Sequence, residues 1–263
     1  MKKINLMQVV PSLQSGGVEQ GTIDVANYLA ETEIKNYIAS RGGQMLSYLN
    51  KRYVEHYTMP VHSKNFLLMP FVARKMNKII NENNVNILHI RSRAPAWLLP
   101  YINKRKLKTV STFHNVYGYN NMIKKIYTRQ LSNVDNIVAI SKYVKEEIVK
   151  NYRINQNKIS VINRGIDVNF LNADIDNQEN FIHFTNKYRI NMQNKIILFP
   201  GRLTGWKGQL EFLKIAEYFK EEPIVFYFVG DDKNTSYLKK LNQEINKKNL
   251  NHNCHILGHL NKN

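Results

Sequence analysis

Cysteine is almost absent from this sequence of 263 residues, and its scarcity limits both cross-links and metal sites. The one cysteine, Cys254, cannot form a disulfide within the chain, and no cysteine cluster is available to hold zinc. Disulfides persist in oxidising compartments and are rare in the cytoplasm. The cysteine count therefore predicts a protein of the cytoplasm.

Long hydrophobic runs are also absent, since no stretch approaches the roughly 18 apolar residues that a membrane span requires. The amino terminus, MKKINLMQVVPS, carries two lysines like a signal peptide. However, Asn5 and Gln8 interrupt its apolar run, and no small-residue cleavage site follows. We interpret it as a first strand, and we expect a soluble or peripheral protein.

Acidic residues are few, at 20 against 38 lysines and arginines, so the formal net charge is +18. Such a charge favours a polyanionic partner: nucleic acid, an anionic membrane face or a phosphorylated substrate. Richness in Lys, Asn, Ile and Tyr is also what an AT-rich coding bias produces, so composition is an alternative explanation. The sequence has no helix-turn-helix, zinc-finger or RNA-recognition signature, and we expect no nucleic-acid partner.

What the chain does have is an alternation of short apolar segments with longer helical patterns, which is typical of parallel α/β proteins. Several segments, such as IVAI, IILF and IVFYFV, are apolar at consecutive positions, as expected when helices cover both faces of a sheet. The fold class predicted is α/β with doubly wound parallel sheets. The predicted strands are Ile4–Val10, Ile34–Ser40, Tyr53–Thr58, Asn86–Ile90, Lys108–Thr112, Asn136–Ile140, Lys158–Ile162, Lys195–Phe199, Ile224–Val229 and Cys254–Leu257.

A domain boundary is predicted where apolar periodicity lapses, in NFLNADIDNQENF at residues 169 to 181. We expect an amino-terminal Rossmann-like domain at 1–170 and a carboxyl-terminal domain at 171–263. The second is shorter than the roughly 100 to 150 residues of a typical domain, so we expect it to be incomplete.

Two loops that leave a strand and enter a helix are candidate ligand sites, because doubly wound sheets bind ligands beyond the carboxyl ends of their strands. In VVPSLQSGGVEQGTIDVANYL, Gly16 and Gly17 precede a helix, where backbone amides favour an anion. A plain turn is the alternative, since GGxxxG is not the dinucleotide motif GxGxxG.

The second loop, PGRLTGWKGQLEFL, follows the apolar run IILF. Gly201 permits a tight exit from the strand, and Arg202 offers a planar guanidinium suited to phosphate oxygens. Lys207 is expected in the first turn of the next helix. Two cations suit the two phosphates of a nucleotide diphosphate, while a solvated surface is the alternative.

A family resemblance runs through almost the whole chain, in the ordered segments SGGVEQ, HIRSRAPAW, TFHNVYG, AISKYV, VINRGID, PGRLTGWKGQ and FVGDD. With these segments the sequence resembles glycosyltransferase family 4, whose GT-B fold places two Rossmann-like domains around a sugar-nucleotide cleft. GRLTGWKG is the most specific segment. With VINRGID, it is similar to bacterial members that act on lipopolysaccharide or related surface glycans of the cell envelope.

The resemblance implies a retaining transfer with a nucleotide sugar as substrate and no cofactor. It implies that Arg202 and Lys207 stabilise charge on the departing diphosphate, so that they act in both binding and catalysis. His114, in TFHN, is expected near the transferring sugar, and a packed loop histidine is the alternative. The donor-binding residues implied are Gly16, Gly17, Gly201, Arg202 and Lys207.

The acceptor side and the question of a metal rest on weaker patterns. Arg91 and Arg93 end a predicted strand and are candidates to contact an anionic acceptor, with a structural ion pair as the alternative. The triplet at 174–176 fits the metal-binding Asp-x-Asp of the GT-A fold, but no apolar strand precedes it. We interpret it as helix-capping aspartates and Asp231-Asp232 as a turn, and we expect no metal.

A candidate for membrane contact is the segment at 65–80, NFLLMPFVARKMNKII. A helix beyond Pro70 would separate an apolar side from a basic side, which suits the cytoplasmic face of an inner membrane and a lipid-linked acceptor. A core helix with a solvated back is the default interpretation of this pattern, and membrane contact is the alternative. The apolar side comprises Val72, Met76 and Ile79, preceded by Phe66, Leu67 and Leu68, and the basic side comprises Arg74, Lys75 and Lys78.

Family 4 enzymes continue to a carboxyl-terminal glutamate-rich motif that contacts the donor, whereas this chain stops at GHLNKN. The leading expectation is therefore a glycosyltransferase whose activity is impaired by truncation. A non-catalytic remnant or a partner-dependent subunit is the alternative.

Overall fold

The computed structural model describes residues 3–116, 121–166, 178–230 and 234–260. They form two units, Met1–Asp167 and Val168–Asn263, each with its own parallel sheet. The predicted α/β class with two Rossmann-like, parallel-sheet units is confirmed. The aspartates at 174, 176, 231 and 232 lie outside the described residues.

The first unit contains a parallel sheet of seven strands in the order β3-β2-β1-β4-β5-β6-β7. The strands are β1 (Asn5–Val9), β2 (Lys35–Ser40), β3 (Val54–Thr58), β4 (Ile87–Ile90), β5 (Lys108–Phe113), β6 (Asn136–Ala139) and β7 (Ile159–Val161). The helices are α1 (Gly17–Ala30), α2 (Met69–Glu82), α3 (Met122–Arg129) and α4 (Lys142–Tyr152). Short 3₁₀ segments lie at Gln44–Tyr48, Phe66–Leu68, Pro95–Tyr101, Gln130–Ser132 and Gln156–Lys158.

Helices cover both faces of this sheet, which explains why its central strands are apolar at consecutive positions. Every residue of β1 is buried. On one face Met7 and Val9 pack into the cluster that contains the buried side of α2. On the other face Ile38 packs with Ile23 and Ala26 of α1.

The strand order places a topological switch point between β1 and β4. From β1 the chain adds β2 and β3 on one side of the sheet and then adds β4 to β7 on the other side. The loops that follow β1 and β4 therefore diverge and leave a crevice at the carboxyl edge, where open α/β sheets bind ligands.

The second unit contains a parallel sheet of three strands in the order β10-β9-β8. Its described elements are α5 (Gln178–Lys187), β8 (Lys195–Pro200), α6 (Gln209–Tyr218), β9 (Ile224–Val229), α7 (Thr235–Lys247) and β10 (Cys254–Gly258), with a 3₁₀ turn at Gly205–Lys207. Phe212 of α6 joins the sheet through edge-to-face contacts with Phe226 and Phe228, at centroid distances of 5.7 and 5.8 Å.

The outer strand of this sheet differs from the sequence-based expectation. Four of the six residues of β9 are buried, whereas no residue of β8 is. Ile196 and Leu198 are 38% and 51% exposed. IILF is therefore apolar throughout without being covered on both faces. Among the described residues β8 pairs with β9 only.

Candidate functional site

The loop between β1 and α1 is held in a fixed position by backbone contacts with the loop that follows β2. Leu13 N donates to Gly42 O at 3.0 Å, and Met45 N donates to Leu13 O at 2.8 Å. A side chain at Gly43 would overlap the Leu13 carbonyl, so this close approach requires glycine. The loop then enters α1 through Gly16, whose φ is 126° and which provides no side-chain cap. The amide groups of the first turn are therefore open to an anion.

An arginine from the loop after β7 lies against this end of α1. Gly17 and Gly21 are one turn apart and share a helix face. A Cβ at Gly17 would lie 3.3 Å from Nη1 of Arg164, and a Cβ at Gly21 would lie 2.5 Å from its Nη2. The two glycines thus leave room for a guanidinium against the helix backbone.

Arg91 reaches the same place from the end of β4. Its side chain is only 6% exposed. Its Nη1 donates to Gln8 Oε1 at 2.9 Å, and Gln8 Nε2 donates to Thr22 O of α1 at 3.1 Å. Burial, followed by the charge of Arg164, lowers the pKa of Arg91 to about 10. Arg91 is therefore a fixed cation tied to both the sheet and α1.

His114 follows β5 and faces the two arginines. Both of its ring nitrogens are buried without a hydrogen-bond partner in the part of the chain that the structure describes. Burial, and then the charges of Arg91 and Arg164, lower the pKa of His114 to about 3. His114 is therefore neutral at pH 7 and offers one donor and one acceptor.

A second histidine, His89 of β4, lies close to Arg91 and His114. The Nε2 of His89 forms a hydrogen bond of 2.7 Å with the hydroxyl of Thr112. Burial and the charge of Arg91 lower the pKa of His89 well below its usual value. The switch point is thus lined by neutral imidazoles and charged guanidinium groups.

Four of the predicted site residues, Gly16, Gly17, Arg91 and His114, belong to this one region of the first unit. Sequence reasoning did not identify Arg164 or Gly21 as site residues. Their signals were present, because Gly21 interrupts the helical pattern of α1 and Arg164 lies in the quoted segment VINRGID.

Arg93, the second predicted acceptor-side residue, points elsewhere. Its guanidinium carbon lies 5.9 Å from the centroid of the Tyr127 ring in α3, in a cation–π arrangement. Tyr127 in turn stacks on Trp97 with a centroid distance of 5.7 Å.

In the second unit, the loop after β8 is shaped by the approach of two strand ends. Gly201 N donates to Val229 O at 2.7 Å. A side chain at Gly230 would overlap the Gly201 carbonyl, so glycine is required where β9 ends. Gln209 is fully buried, and its Nε2 donates to Arg202 O at 2.9 Å. These bonds fix the backbone that carries Arg202.

Arg202 and Lys207 both present exposed side chains on this loop. Neither forms an ion pair within the described residues. Lys207 Nζ lies 4.4 Å from the centroid of the Trp206 ring, and its Cδ would lie 3.9 Å from a Cβ at Gly201. The loop therefore carries two cations beside a glycine at the carboxyl end of β8.

The position of Lys207 corrects one expectation. It lies in the 3₁₀ turn Gly205–Lys207 and not in the first turn of α6, which begins at Gln209. Gly208 separates the two segments with a left-handed φ of 90°. Glycine adopts this conformation readily, and the change of direction turns Lys207 out of the helix.

The segment at 65–80 has both a buried and an exposed apolar side. Val72, Met76 and Ile79 are buried in the core, as the core-helix interpretation predicts. Leu67 and Phe71 are 81% and 74% exposed, so a second apolar surface faces outward. Met122, Ile123 and Ile126 of α3 are also exposed. Phe66 and Trp97 connect the two regions, with ring centroids 4.5 Å apart.

Within the described ranges, no group of three or more His, Cys, Asp or Glu side chains is arranged to hold a metal ion. None of the described helices is both long enough and apolar enough to cross a membrane.

Comparison with known proteins gives matches to two family models. Residues 15–170 match Glycosyltransferase Family 4, and residues 180–263 match Glycosyl transferases group 1. Curated relatives match over a shorter stretch. The phosphatidylinositol N-acetylglucosaminyltransferase GPI3 subunit of Saccharomyces cerevisiae is 28% identical over 33% of this chain and 21% of its own length. The chain thus spans about a fifth of the curated relatives it matches.

Solved structures match almost the full chain. A glycosyltransferase from Rickettsia africae ESF-5 is 33% identical with a TM-score of 0.85, over 99% of this chain and 69% of that protein. The Anabaena protein Alr3699/HepE, in complex with UDP-glucose, is 15% identical with a TM-score of 0.81, over 98% and 70%. WaaG, a glycosyltransferase involved in lipopolysaccharide biosynthesis, is 13% identical with a TM-score of 0.70, over 97% and 70%. The latter two share the fold.

Proposed function

This chain belongs to Glycosyltransferase Family 4, and from that premise we propose that it transfers a sugar from a nucleotide-sugar donor to a surface-glycan acceptor. The observation that supports this most directly is the loop after β8, where Arg202 and Lys207 lie exposed beside Gly201. The Anabaena protein of the same fold binds UDP-glucose, which makes a uridine diphosphate sugar the first donor to test.

The proposed role of the two cations is to hold the diphosphate of the donor. The guanidinium of Arg202 can form two parallel hydrogen bonds to phosphate oxygens, and Lys207 adds a point charge. Negative charge grows on the diphosphate as its bond to the sugar breaks, so fixed cations stabilise the transition state more than the ground state. Gly201 lets the donor approach the backbone.

This charge stabilisation needs no metal, and we propose a transfer that is metal-independent and that retains the configuration at the sugar carbon. Gly16 and Gly17 would bind donor phosphate through the open amide groups of α1. His114 would contact the sugar, since a neutral imidazole can donate or accept a hydrogen bond without the cost of burying a charge.

The proposed acceptor is lipopolysaccharide or a related lipid-linked glycan. The protein WaaG, which has the same fold, is involved in lipopolysaccharide biosynthesis. Arg91 supports an anionic acceptor because it is a cation at the switch point of the sheet. Arg93 would contribute from its position over Tyr127.

We also propose that the chain works in the cytoplasm and lies peripherally on the inner membrane. The exposed side chains of Leu67 and Phe71 adjoin the basic residues of α2, a combination that suits the interface of an anionic bilayer.

The proposal is tested by a thermal-shift screen with UDP, GDP and ADP sugars, followed by assay of transfer to a lipopolysaccharide core. A ligand that binds the folded state raises Tm, and we expect one nucleotide series to do so. Binding without any turnover would favour a non-catalytic or partner-dependent subunit. No shift with any nucleotide sugar would contradict the donor site itself.

A further inference from the structure

The two arginines beside α1 are close together and form no ion pair with any described residue. The Nη2 atoms of Arg91 and Arg164 both lie within 3.3 Å of the point where a Cβ of Gly21 would stand. Asp24 favours the charge of Arg91, but its carboxylate accepts from Gln20 at 2.7 Å. Like charges this close repel, and an anion that contacts both would relieve the repulsion.

The close approach of the two guanidinium groups to α1 depends on Gly21. This glycine occupies the interior of a helix of 14 residues, where glycine is a poor helix former compared with alanine. A methyl group there would stand 2.5 Å from Arg164 Nη2 and 3.2 Å from its central carbon. Gly21 thus lowers the helix propensity of α1, but it leaves room for the guanidinium of Arg164 beside the helix.

Three nitrogen atoms of Arg91 and His114 are buried and have no hydrogen-bond partner among the described residues. They are Nε of Arg91 and both ring nitrogens of His114, in the part of the chain that the structure describes. Arg91 is more than nine-tenths buried, so its orientation is fixed by packing and by its bond to Gln8. Unpartnered buried polar groups are rare in folded proteins, and a bound ion is one of the explanations for them.

We propose that Arg91, Arg164 and His114 bind one phosphate-class anion at the amino terminus of α1, and that Gly21 is the residue that admits Arg164 to this site. Two guanidinium groups and open helix amides suit a phosphate dianion. Arg91, Arg164, His114 and Gly21 all belong to the first unit. Its assignment to a substrate phosphate rests on the proposed function, whereas binding of the anion does not.

The first test measures binding of inorganic phosphate and pyrophosphate by calorimetry in the full chain. Removing one charged hydrogen bond should weaken binding by about tenfold or more, so we expect that loss in Arg164→Gln. Arg164 is exposed, so this variant should fold. The matched control is Arg105→Gln, an exposed arginine that precedes β5 at the opposite edge of the sheet, and its affinity should equal that of the wild type.

Gly21→Ala provides a second variant that removes no charge. The new methyl group should displace Arg164 and weaken phosphate binding, while the higher helix propensity of alanine keeps or raises Tm. Gly17→Ala should have a smaller effect, because its Cβ would meet Arg164 at 3.3 Å.

The location of the anion is read from the His114 ring by NMR. Burial lowers its pKa most, followed by the charges of Arg91 and Arg164, and His89 of β4 is the other titratable group that interacts with it. Bound phosphate, which is a monoanion in this acidic range, should raise the pKa of His114 above about 3, and Arg164→Gln should remove the phosphate dependence.

Competition with UDP separates the two sources of the phosphate. Displacement of inorganic phosphate by UDP would assign the site to the donor diphosphate, and simultaneous binding would assign it to the acceptor. Phosphate affinity that is absent, or equal in wild type, Arg164→Gln and Gly21→Ala, would overturn the site. If the wild-type chain binds phosphate at this site but transfers no sugar, only the proposed function would be contradicted.

Discussion

Arg202 and Lys207 are exposed cations on a loop whose backbone is fixed by Gln209, so their substitution should affect binding and not folding. A charged hydrogen bond contributes about 1.5 to 3 kcal/mol. We therefore expect Arg202→Ala or Lys207→Ala to weaken UDP binding by roughly tenfold or more, measured by calorimetry. Lys214→Ala in α6 is the control. Unchanged affinity in both loop variants would show that the diphosphate binds elsewhere.

His114 should make stability depend on pH in the mildly acidic range. Its pKa is about 3 in the folded protein, against 6.5 for an ordinary histidine, so the unfolded chain takes up the proton first. Its contribution is complete above about pH 6.5 and is lost as the pH falls towards 3, by up to about 1.4 kcal/mol per pH unit. We expect His114→Gln to lose less stability than the wild type between pH 7 and pH 5 in urea titrations.

His89 also makes stability fall as the pH falls, because burial lowers its pKa as well. This contribution is present in both the wild type and His114→Gln. The difference between the two urea series therefore isolates His114, and His62→Gln, at an exposed site, is the matched control. Parallel pH dependence in wild type and His114→Gln would contradict the environment described for this ring.

At the scale of residues, sequence reasoning found the side chains that follow a strand directly. Arg91 and Arg202 were found because each comes just after an apolar run, and His114 because the family resemblance marks the histidine that follows its strand. Arg164 was not assigned, because its neighbour Gly21 lies far away in the sequence. Only the strand order, which brings the ends of β1, β4, β5 and β7 to one edge, shows that these residues meet.

At the scale of elements, α2 and the turn before it combine a core side with an outward apolar side. The basic residues Arg74, Lys75 and Lys78 lie on the exposed part of α2, and Lys78 also pairs with Glu82 at 3.7 Å. Each lysine or arginine near an anionic bilayer contributes about 1 kcal/mol. Replacing all three with glutamine should reduce retention on phosphatidylserine vesicles by roughly 100-fold in sedimentation assays.

The control for this experiment is a triple glutamine variant of α7, at Lys239, Lys240 and Lys247, which are exposed in the second unit. It should sediment with vesicles like the wild type, and added salt should release the wild type in part. Equal loss in both variants would indicate a response to net charge alone, and retention by the α2 variant would assign the contact to another surface.

Element positions followed closely from the sequence because strand signals are local. Every predicted strand is present with each end within one residue of its predicted position. The predicted start of α6 was wrong, because Gly208 has a left-handed backbone conformation and the helix begins after it. Lys207 therefore precedes the helix. The exposure of β8 could not be predicted either, since an apolar run does not reveal whether a strand lies at the edge of its sheet.

At the scale of the whole molecule, the two units have separate cores of unequal extent. The first has clusters on both faces of a seven-stranded sheet, and the second has one cluster beside three strands. We expect the second unit to unfold first in denaturant, because less buried apolar surface stabilises it. Brief trypsin digestion followed by mass spectrometry should cut first within 178–263 and leave a resistant amino-terminal fragment.

Tryptophan fluorescence gives an independent measure of the order in which the two units unfold, since Trp97 lies in the first unit and Trp206 in the second. The Trp97 signal, from a ring that packs on Phe66 and Tyr127, should change at the higher denaturant concentration. A single transition shared by both tryptophans and by the proteolysis pattern would contradict separate cores.

The buried thiol of Cys254 also makes the folded protein convenient for spectroscopy. The side chain is 5% exposed, and burial raises its pKa to about 12, so almost no reactive thiolate forms at neutral pH. Towards maleimide reagents the native chain should therefore behave as if it contained no cysteine. A single fluorophore attached at Ser15→Cys, an exposed position beside the start of α1, would then report ligand arrival at that loop without a background label.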